Sequence, residues 1–336
     1  MASVTDIGID LGTSSVMIYA RSRGIVLDEP AVVAVERDSR VIRAIGTEAY
    51  RMIGRTPGGI IAMRPLREGS VADFELTSAM LHHFVTQVIG KRMFSHPRAV
   101  LSLPSGINEN ERRSLSAVMF ESGVRRTQLL DRPVAAAIGA EMDIDAVYGS
   151  MVVDIGAGMS DIAVLSNGRI VVSEAVKLGG DHFDDAIVRY IRRKYNLLIG
   201  ERTAEDLKIA IGSAMPQREP VYQDVTGRNL ISGLPKLMRI MSDEVLEAID
   251  DPLTDLIEAI HNILEHTPAE LAADVFDAGI VLTGGGALLP GLPDAISTAL
   301  KVKCRMAANP RACVAAGCGL ALEDLGTYGR YLNDRK

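Results

Sequence analysis

A short run near the start of the chain, Ile9-Asp10-Leu11-Gly12-Thr13-Ser14-Ser15, returns in altered form 144 residues later as Val153-Asp154-Ile155-Gly156-Ala157-Gly158-Met159-Ser160. Each copy is an apolar β-run, an aspartate, a Gly-rich turn carrying hydroxyls, and a second β-run. A repeat at this distance describes two similar lobes, because solenoid repeats span only about 20–50 residues. The 336 residues suffice for two such lobes, each large enough for its own core. Their boundary falls near Val147–Met151. A third Gly-rich turn, in IVLTGGGALLPG, follows a strand from Ile280 and precedes a helix.

Around these turns, short apolar runs alternate with helical patterns, as in an α/β protein. TDIGIDLG, SVMIYAR and GIVLDEPAVVAVE read as strands, the last interrupted at Pro30, and AVLSLP is a buried strand ending at Pro104. ELTSAMLHHFVTQVIG has helical spacing, with Leu76, Met80, Leu81, Phe84, Val85 and Val88 on one face. NENERRSLSAVMFESG reads as a helix stopped by Gly123, and SDEVLEAIDDPLTDLIEAI as an amphipathic, solvated helix pair.

A strand that ends in a Gly-rich turn presents consecutive backbone N–H groups, which cradle phosphate oxygens. Glycine is needed because the phosphate approaches where a Cβ would sit. Two such hairpins, one from each lobe, can clamp a polyphosphate between them. Asp10 and Asp154 would lie beside it, and both suit a hydrated Mg²⁺, which takes oxygen ligands and retains waters. Either turn alone is as readily a plain turn. The pair, with the TGGG turn added, makes coincidence a poor account.

A net charge of −7 argues against broad nucleic-acid binding, which needs clustered cations. Cys304, Cys313 and Cys318 give neither an even disulfide framework nor metal-ligand spacing, which points to a reducing cytosol and to small buried apolar side chains. His82 and His83 are adjacent on a helix, and His261 and His266 lack supporting ligands, so none of them suggests a metal. The start, MASVTDIGID, lacks the features of a signal peptide. No segment approaches the roughly 18 apolar residues of a membrane span. The expectation is a cytoplasmic protein whose membrane contact, if any, is peripheral.

With these residues in view, the chain resembles the actin-like ATPase superfamily and, within it, the MreB family of bacterial actins. The resemblance covers nearly the whole chain. It is carried by the two hairpins and by GIVLDEPAVVAV, AIGTEAYRMIGRTPGGI, RPLREGSVADFE, RRKYNLLIGERTAEDLKIAIGSA and TPAELAADVFDAGIVLTGGGALLPGL. It implies an actin-like α/β fold of two lobes around ATP (or ADP) and Mg²⁺. Each lobe has a mixed sheet flanked by helices and a smaller inserted subdomain. The implied division is residues 1–148, with the insert at about 32–72, and residues 149–336, with the insert at about 184–248. The first phosphate loop would be Gly12, Thr13, Ser14 and Ser15; the second would be Gly156, Ala157, Gly158 and Ser160. Glu205 and Lys208 go to the adenosine side, a carboxylate for ribose hydroxyls and a lysine stem against adenine; without the resemblance they read as a solvent-facing ion pair. Gly284, Gly285 and Gly286 would let the backbone approach the nucleotide from the other side.

The chain departs from this family where water is activated. MreB proteins usually read EEP before the Ala-rich helix, and the glutamate beside the proline positions the water that attacks the γ-phosphate. Here LLDRPVAAAIGA puts Arg132 there, and a guanidinium has five donors and no acceptor. Met159 stands where a threonine hydroxyl commonly assists the same water. Losing a positioned base costs about 10²–10⁴ in rate, so the expectation is ATP binding with weak or absent hydrolysis. Two rescues stay open: Asp131 swings in as a substitute, or Arg132 stabilises transition-state charge while another group orients water.

The resemblance also implies homopolymeric filaments that determine cell shape by organising cell-wall synthesis with elongation proteins. Contact with the inner face of the membrane would run through Met93 and Phe94 in VIGKRMFSHPRAV, flanked by Lys91, Arg92 and Arg98. Each apolar side chain could supply about 1.5–3 kcal/mol if buried, each cation ~1 kcal/mol on anionic lipid. Folding of Met93 and Phe94 back onto the chain's own core is the alternative. The alternatives on the same fold are a small-molecule kinase, which needs a carboxylate base at the substrate, and a chaperone-like ATPase, whose known forms carry a further peptide-binding domain.

Overall fold

The computed structural model describes residues 6–56, 58–90 and 97–334. The first repeat is strand β1 (Asp6–Leu11) turning into β2 (Ser15–Ala20), followed by β3 (Gly24–Pro30). Pro30 ends that strand, and the chain restarts as β4 (Val33–Glu36), β5 (Ile42–Ile45), helix α1 (Thr47–Met52) and β6 (Ile60–Met63), a small sheet in the order β5-β4-β6. A two-strand clip, β7 (Leu66–Arg67) and β8 (Ser70–Val71), leads to α2 (Phe74–Ile89), whose N-terminus Asp73 caps by accepting from Leu76 N–H. Then come β9 (Arg98–Leu103), α3 (Glu109–Glu121), β10 (Arg126–Asp131) and α4 (Arg132–Gly139). Asn108 and Glu111 cap α3 reciprocally, satisfying two N–H groups of its first turn.

The second repeat is β11 (Ser150–Ile155), β12 (Ser160–Ser166) and β13 (Arg169–Val176), followed by α5 (Gly180–Tyr195). A second small sheet holds β14 (Leu197–Leu198), β15 (Tyr222–Asn229) and β16 (Pro235–Met241), with α6 (Glu201–Ile211) between the first two. The chain continues through α7 (Ser242–His266), α8 (Ala269–Ala278), β17 (Ile280–Thr283), α9 (Leu292–Leu300) and β18 (Cys304–Met306). It ends with α10 (Cys313–Glu323), α11 (Leu325–Tyr328) and β19 (Asn333–Asp334).

The two large sheets share one plan. In each, the repeat hairpin is antiparallel, a third strand extends it on one side, and a parallel strand lies on the other: β9 beside β1, and β17 beside β11. The orders are β19-β10-β9-β1-β2-β3 and β13-β12-β11-β17-β18. Strand β1 is buried along its whole length and β11 at every residue but Ser150, which suits sequences that are apolar apart from their aspartates and Ser150. Two mixed sheets flanked by helices are the architecture the resemblance implies. Each lobe has its own core, one around Ile7, Ile9, Leu101 and Phe84, the other around Val153, Phe183, Ile249 and Leu282.

A third core joins the lobes, and it departs from a simple division at residue 149. Helix α10 returns to the first sheet and packs against α4 and β1, while β19 pairs with β10. The approach is at backbone distance. A Cβ on Gly317 would lie 1.8 Å from the Ala135 carbonyl oxygen, and one on Gly139 would lie 1.8 Å from that of Cys313. The acidic stretch expected as a helix pair is instead one continuous helix, α7, with Pro252 inside it. Proline removes one backbone bond and costs about 3 kcal/mol in a helix interior. The buried stripe Val245, Ile249, Leu253, Leu256, Ile260 and Ile263 outweighs it.

No helix among the described residues is long and apolar enough to cross a membrane. Met93 and Phe94 lie outside the described residues. Arg98, expected beside them as a cation for lipid, is instead committed to buried Asp6 through Nε at 3.0 Å and Nη2 at 2.6 Å. The three cysteines are free thiols, and burial pushes Cys304 and Cys313 up to about 12.

Candidate functional site

Each repeat hairpin turns over four residues. Gly12 N–H donates to Ser15 O at 3.0 Å in the first, and Gly156 N–H donates to Met159 O at 2.9 Å in the second. The turns face each other across a cavity of about 480 Å³, a size suited to a small cofactor. Gly12, Thr13, Ser14 and Ser15 line it from one lobe, and Gly156, Ala157, Gly158 and Met159 from the other. The turns nearly touch: a Cβ on Gly158 would stand 2.9 Å from Thr13 Oγ1. A Cβ on Gly12 or Gly156 would likewise crowd its own turn, at 3.0 and 2.9 Å, so glycine lets the hairpins close up, and their backbone suits a polyphosphate. Ser160 is not presented to the cavity; it is buried at the start of β12, where its hydroxyl donates to Leu178 O at 2.7 Å.

Glu205 and Lys208 share one face of α6 and line the opposite wall, but neither is a simple solvent-facing charge. Lys208 Nζ donates to Gly180 O at 2.8 Å and ion-pairs with Asp184, also at 2.8 Å. Glu205 accepts from Tyr50 OH at 2.9 Å, and Arg64 donates to Asp181 at 2.9 Å. Tyr50 and Arg64 come from the first lobe, so these bonds tie the lobes together at the mouth of the cleft. All three TGGG glycines, Gly284, Gly285 and Gly286, line the cavity. Gly284, at φ +82°, and Gly286 are pressed against Ile155, where a Cβ would meet its atoms at 2.2 and 2.4 Å. Gly284 and Gly286 therefore also pack the turn on β11.

The floor of the cavity holds Arg132. Asp131 precedes α4 without a side-chain capping bond, Pro133 fixes its first turn, and the arginine projects from that turn between the lobes. Its Nε donates to Asp154 Oδ2 at 2.7 Å, Nη1 to Asp10 Oδ1 at 2.8 Å and Nη2 to Asp10 Oδ2 at 3.3 Å. Asp154 also accepts from Thr283 Oγ1 at 2.8 Å. Burial alone would favour deprotonation of the guanidinium, but the carboxylates of Asp10 and Asp154 outweigh that and hold it firmly charged. Burial likewise pushes Asp10 up, against the pull of Arg132. Asp131 does not line the cavity; burial raises its carboxyl, and Arg112 is the cation that pulls it back.

The hydrated Mg²⁺ expected between Asp10 and Asp154 does not fit this arrangement, because the oxygens that would face it already accept from a charged guanidinium. Met159 packs on Gly69 across the cleft, its Sδ 2.2 Å from where a Cβ there would lie, and offers no hydroxyl to a water.

One carboxylate escaped the sequence reading. Asp161 is the cross-strand partner of Asp154 in the β11–β12 hairpin and is fully buried. Burial raises it to about 6, while Ser105 N–H, from the first lobe, donates to both its oxygens at 3.1 Å. Its counterpart in the first repeat, opposite Asp10, is Met17, so the repeat gave no signal; the signal available was an aspartate next to a phosphate loop.

The MreB/Mbl protein family model matches residues 4–330. The cell shape-determining protein Mbl of Bacillus subtilis (strain 168) is 47% identical over 320 residues, covering 95% of this chain and 96% of its own. The cell shape-determining protein MreB of Escherichia coli (strain K12) is 44% identical over 329 residues, 96% of this chain and 95% of its own. Crystal structures of MreB5 of Spiroplasma citri bound to AMPPNP and to ADP superpose with TM-scores of 0.92 and 0.91. Both are at 34% identity and cover 97% of this chain and 98% of theirs. Matches of this identity along the whole length leave one assignment: the chain belongs to the MreB/Mbl family.

Proposed function

We propose that this chain is a nucleotide-binding bacterial actin whose filaments lie on the inner face of the membrane and determine cell shape by organising cell-wall synthesis. It holds ATP or ADP and hydrolyses ATP weakly or not at all. The carrying observation is the floor of the cleft, where Arg132 sits bound to Asp10 and Asp154 at the position expected to orient water. A guanidinium so placed can neither accept a proton nor move aside without leaving two buried carboxylates unpaired.

Nucleotide binding is supported by the facing hairpins and by the AMPPNP and ADP carried by MreB5 of Spiroplasma citri. The role in cell shape is supported by the Mbl and MreB relatives. Self-association is supported by an exposed apolar patch on the β15–β16 hairpin, formed by Leu230, Ile231, Leu234 and Leu237. Membrane contact rests on Met93 and Phe94 with Lys91 and Arg92. The division into lobes at 148/149 is kept except for α10 and β19, which return to the first lobe.

The test is phosphate release per protomer with ATP on anionic vesicles, while polymer is pelleted and its bound nucleotide assayed. Pelleted, vesicle-bound polymer that retains ATP and releases no phosphate is the expected result. Steady release would return the protein to the dynamic ATPases and give Asp131, Asp161 or Arg132 the missing role.

A further inference from the structure

Asp10 and Asp154 are the two acidic side chains on the cavity floor, and they come from different lobes. Two carboxylates facing a polyphosphate require a cation between them, since like charges at this range repel strongly when buried. In this chain that cation is covalently part of the site. We infer that Arg132 is the resident counter-cation of the phosphate cleft, so that nucleoside di- and triphosphates bind here without a divalent metal.

The geometry supports this on three counts. The guanidinium meets both carboxylates at ion-pair distance, 2.7 Å to Asp154 and 2.8 Å to Asp10, so neither is left to recruit a metal. Each side chain is fixed by a further group: Asp154 accepts from Thr283, and Asp10 lies 3.4 Å from the Ser102 hydroxyl. Finally, three of the five guanidinium N–H groups point at carboxylates, which leaves two on the terminal nitrogens of a residue that lines the cavity. One lies on the Nε edge and the other on the Cδ edge, so they diverge and each can donate singly to a phosphate oxygen, while the forked Nη1/Nη2 edge is held by Asp10. A divalent ion entering the site would have to displace a charged, three-fold hydrogen-bonded group and shed part of its hydration, which Mg²⁺ does reluctantly.

The inference rests on the nucleotide-binding reading, and the experiment separates the two. ADP and AMPPNP are titrated calorimetrically into the full chain, once in excess EDTA and once in excess MgCl₂. The expected dissociation constants agree within about threefold, a difference under 1 kcal/mol. Arg132→Gln, which removes the charge and keeps a donor, is expected to bind at least about tenfold more weakly in EDTA than in MgCl₂. Wild-type affinity that falls tenfold or more in EDTA would overturn the resident cation while leaving nucleotide binding intact. An R132Q chain that stays indifferent to metal would overturn the assignment to Arg132. Heat in neither buffer would overturn the nucleotide reading and this inference with it. The wild-type comparison stands by itself should R132Q not fold.

Discussion

Lys208 and Asp184 form a buried ion pair on the wall of the cleft, and the pair has a consequence for stability. Burial raises the Asp184 carboxyl to about 7 even though Lys208 pulls it down. A carboxyl raised in the folded state holds its proton more tightly there than in the unfolded chain. Its contribution is therefore full below the ordinary carboxylate value near 4 and is lost as pH rises through about 7. Between pH 5 and 7 the loss is about 2 kcal/mol. Urea unfolding of the nucleotide-free protein should thus weaken across that window more steeply, by about this amount, than unfolding of Asp184→Asn. Parallel slopes for the two chains would refute it. Sequence spacing showed Glu205 and Lys208 on one helix face, but it could not show that Lys208 is engaged by Asp184 or Glu205 by Tyr50, because those partners lie on other elements. Arg132 was legible as a cation opening the Ala-rich helix. Its grip on Asp10 and Asp154 was not, since that depends on two lobes meeting.

At the scale of elements, the α4–α10 contact decides where Arg132 sits, because the arginine opens α4. The two helices meet through Gly139 and Gly317 with no room for a side chain. Gly317→Ala would force the backbones apart, and overpacking of this kind costs about 1–3 kcal/mol. Thermal and urea unfolding of that variant should show a loss at the upper end of the range. Gly285→Ala is the control, since the nearest atom to its Cβ is Arg311 Cγ at 3.8 Å; it should unfold as the wild type does. Equal stability of the two variants would mean the helices yield easily. The duplicated hairpins were plain in the sequence because strand, aspartate and glycine recur together. The return of α10 was hidden, because CVAAGCGLALE is buried nearly all round and so has no polar face to reveal its orientation. Pro252 misled for the opposite reason: a local breaker was overridden by a stripe that packs along the whole of α7.

For the molecule as a whole, a closed cleft and an exposed apolar hairpin point to different tasks. The lobes are pinned at the floor of the cleft by Arg132 and at its mouth by Tyr50 and Arg64. The β15–β16 hairpin lies away from it and shows Ile231 at 82% and Leu234 at 65% exposure. Copies carrying a net charge of −7 repel one another, although salt screens that repulsion beyond about 8 Å. Association therefore needs a local contact of short range, and buried apolar side chains at about 1.5–3 kcal/mol each can supply it. Replacing Ile231 and Leu234 with Asp removes that gain and adds charge to the contact. The concentration at which polymer first pellets should rise at least about tenfold, the equivalent of 1.4 kcal/mol. ADP affinity should not change, because neither residue lines the cavity. Polymer that pellets at the wild-type concentration would place the protomer contact on another surface, and a parallel loss of ADP binding would show that the hairpin is coupled to the cleft.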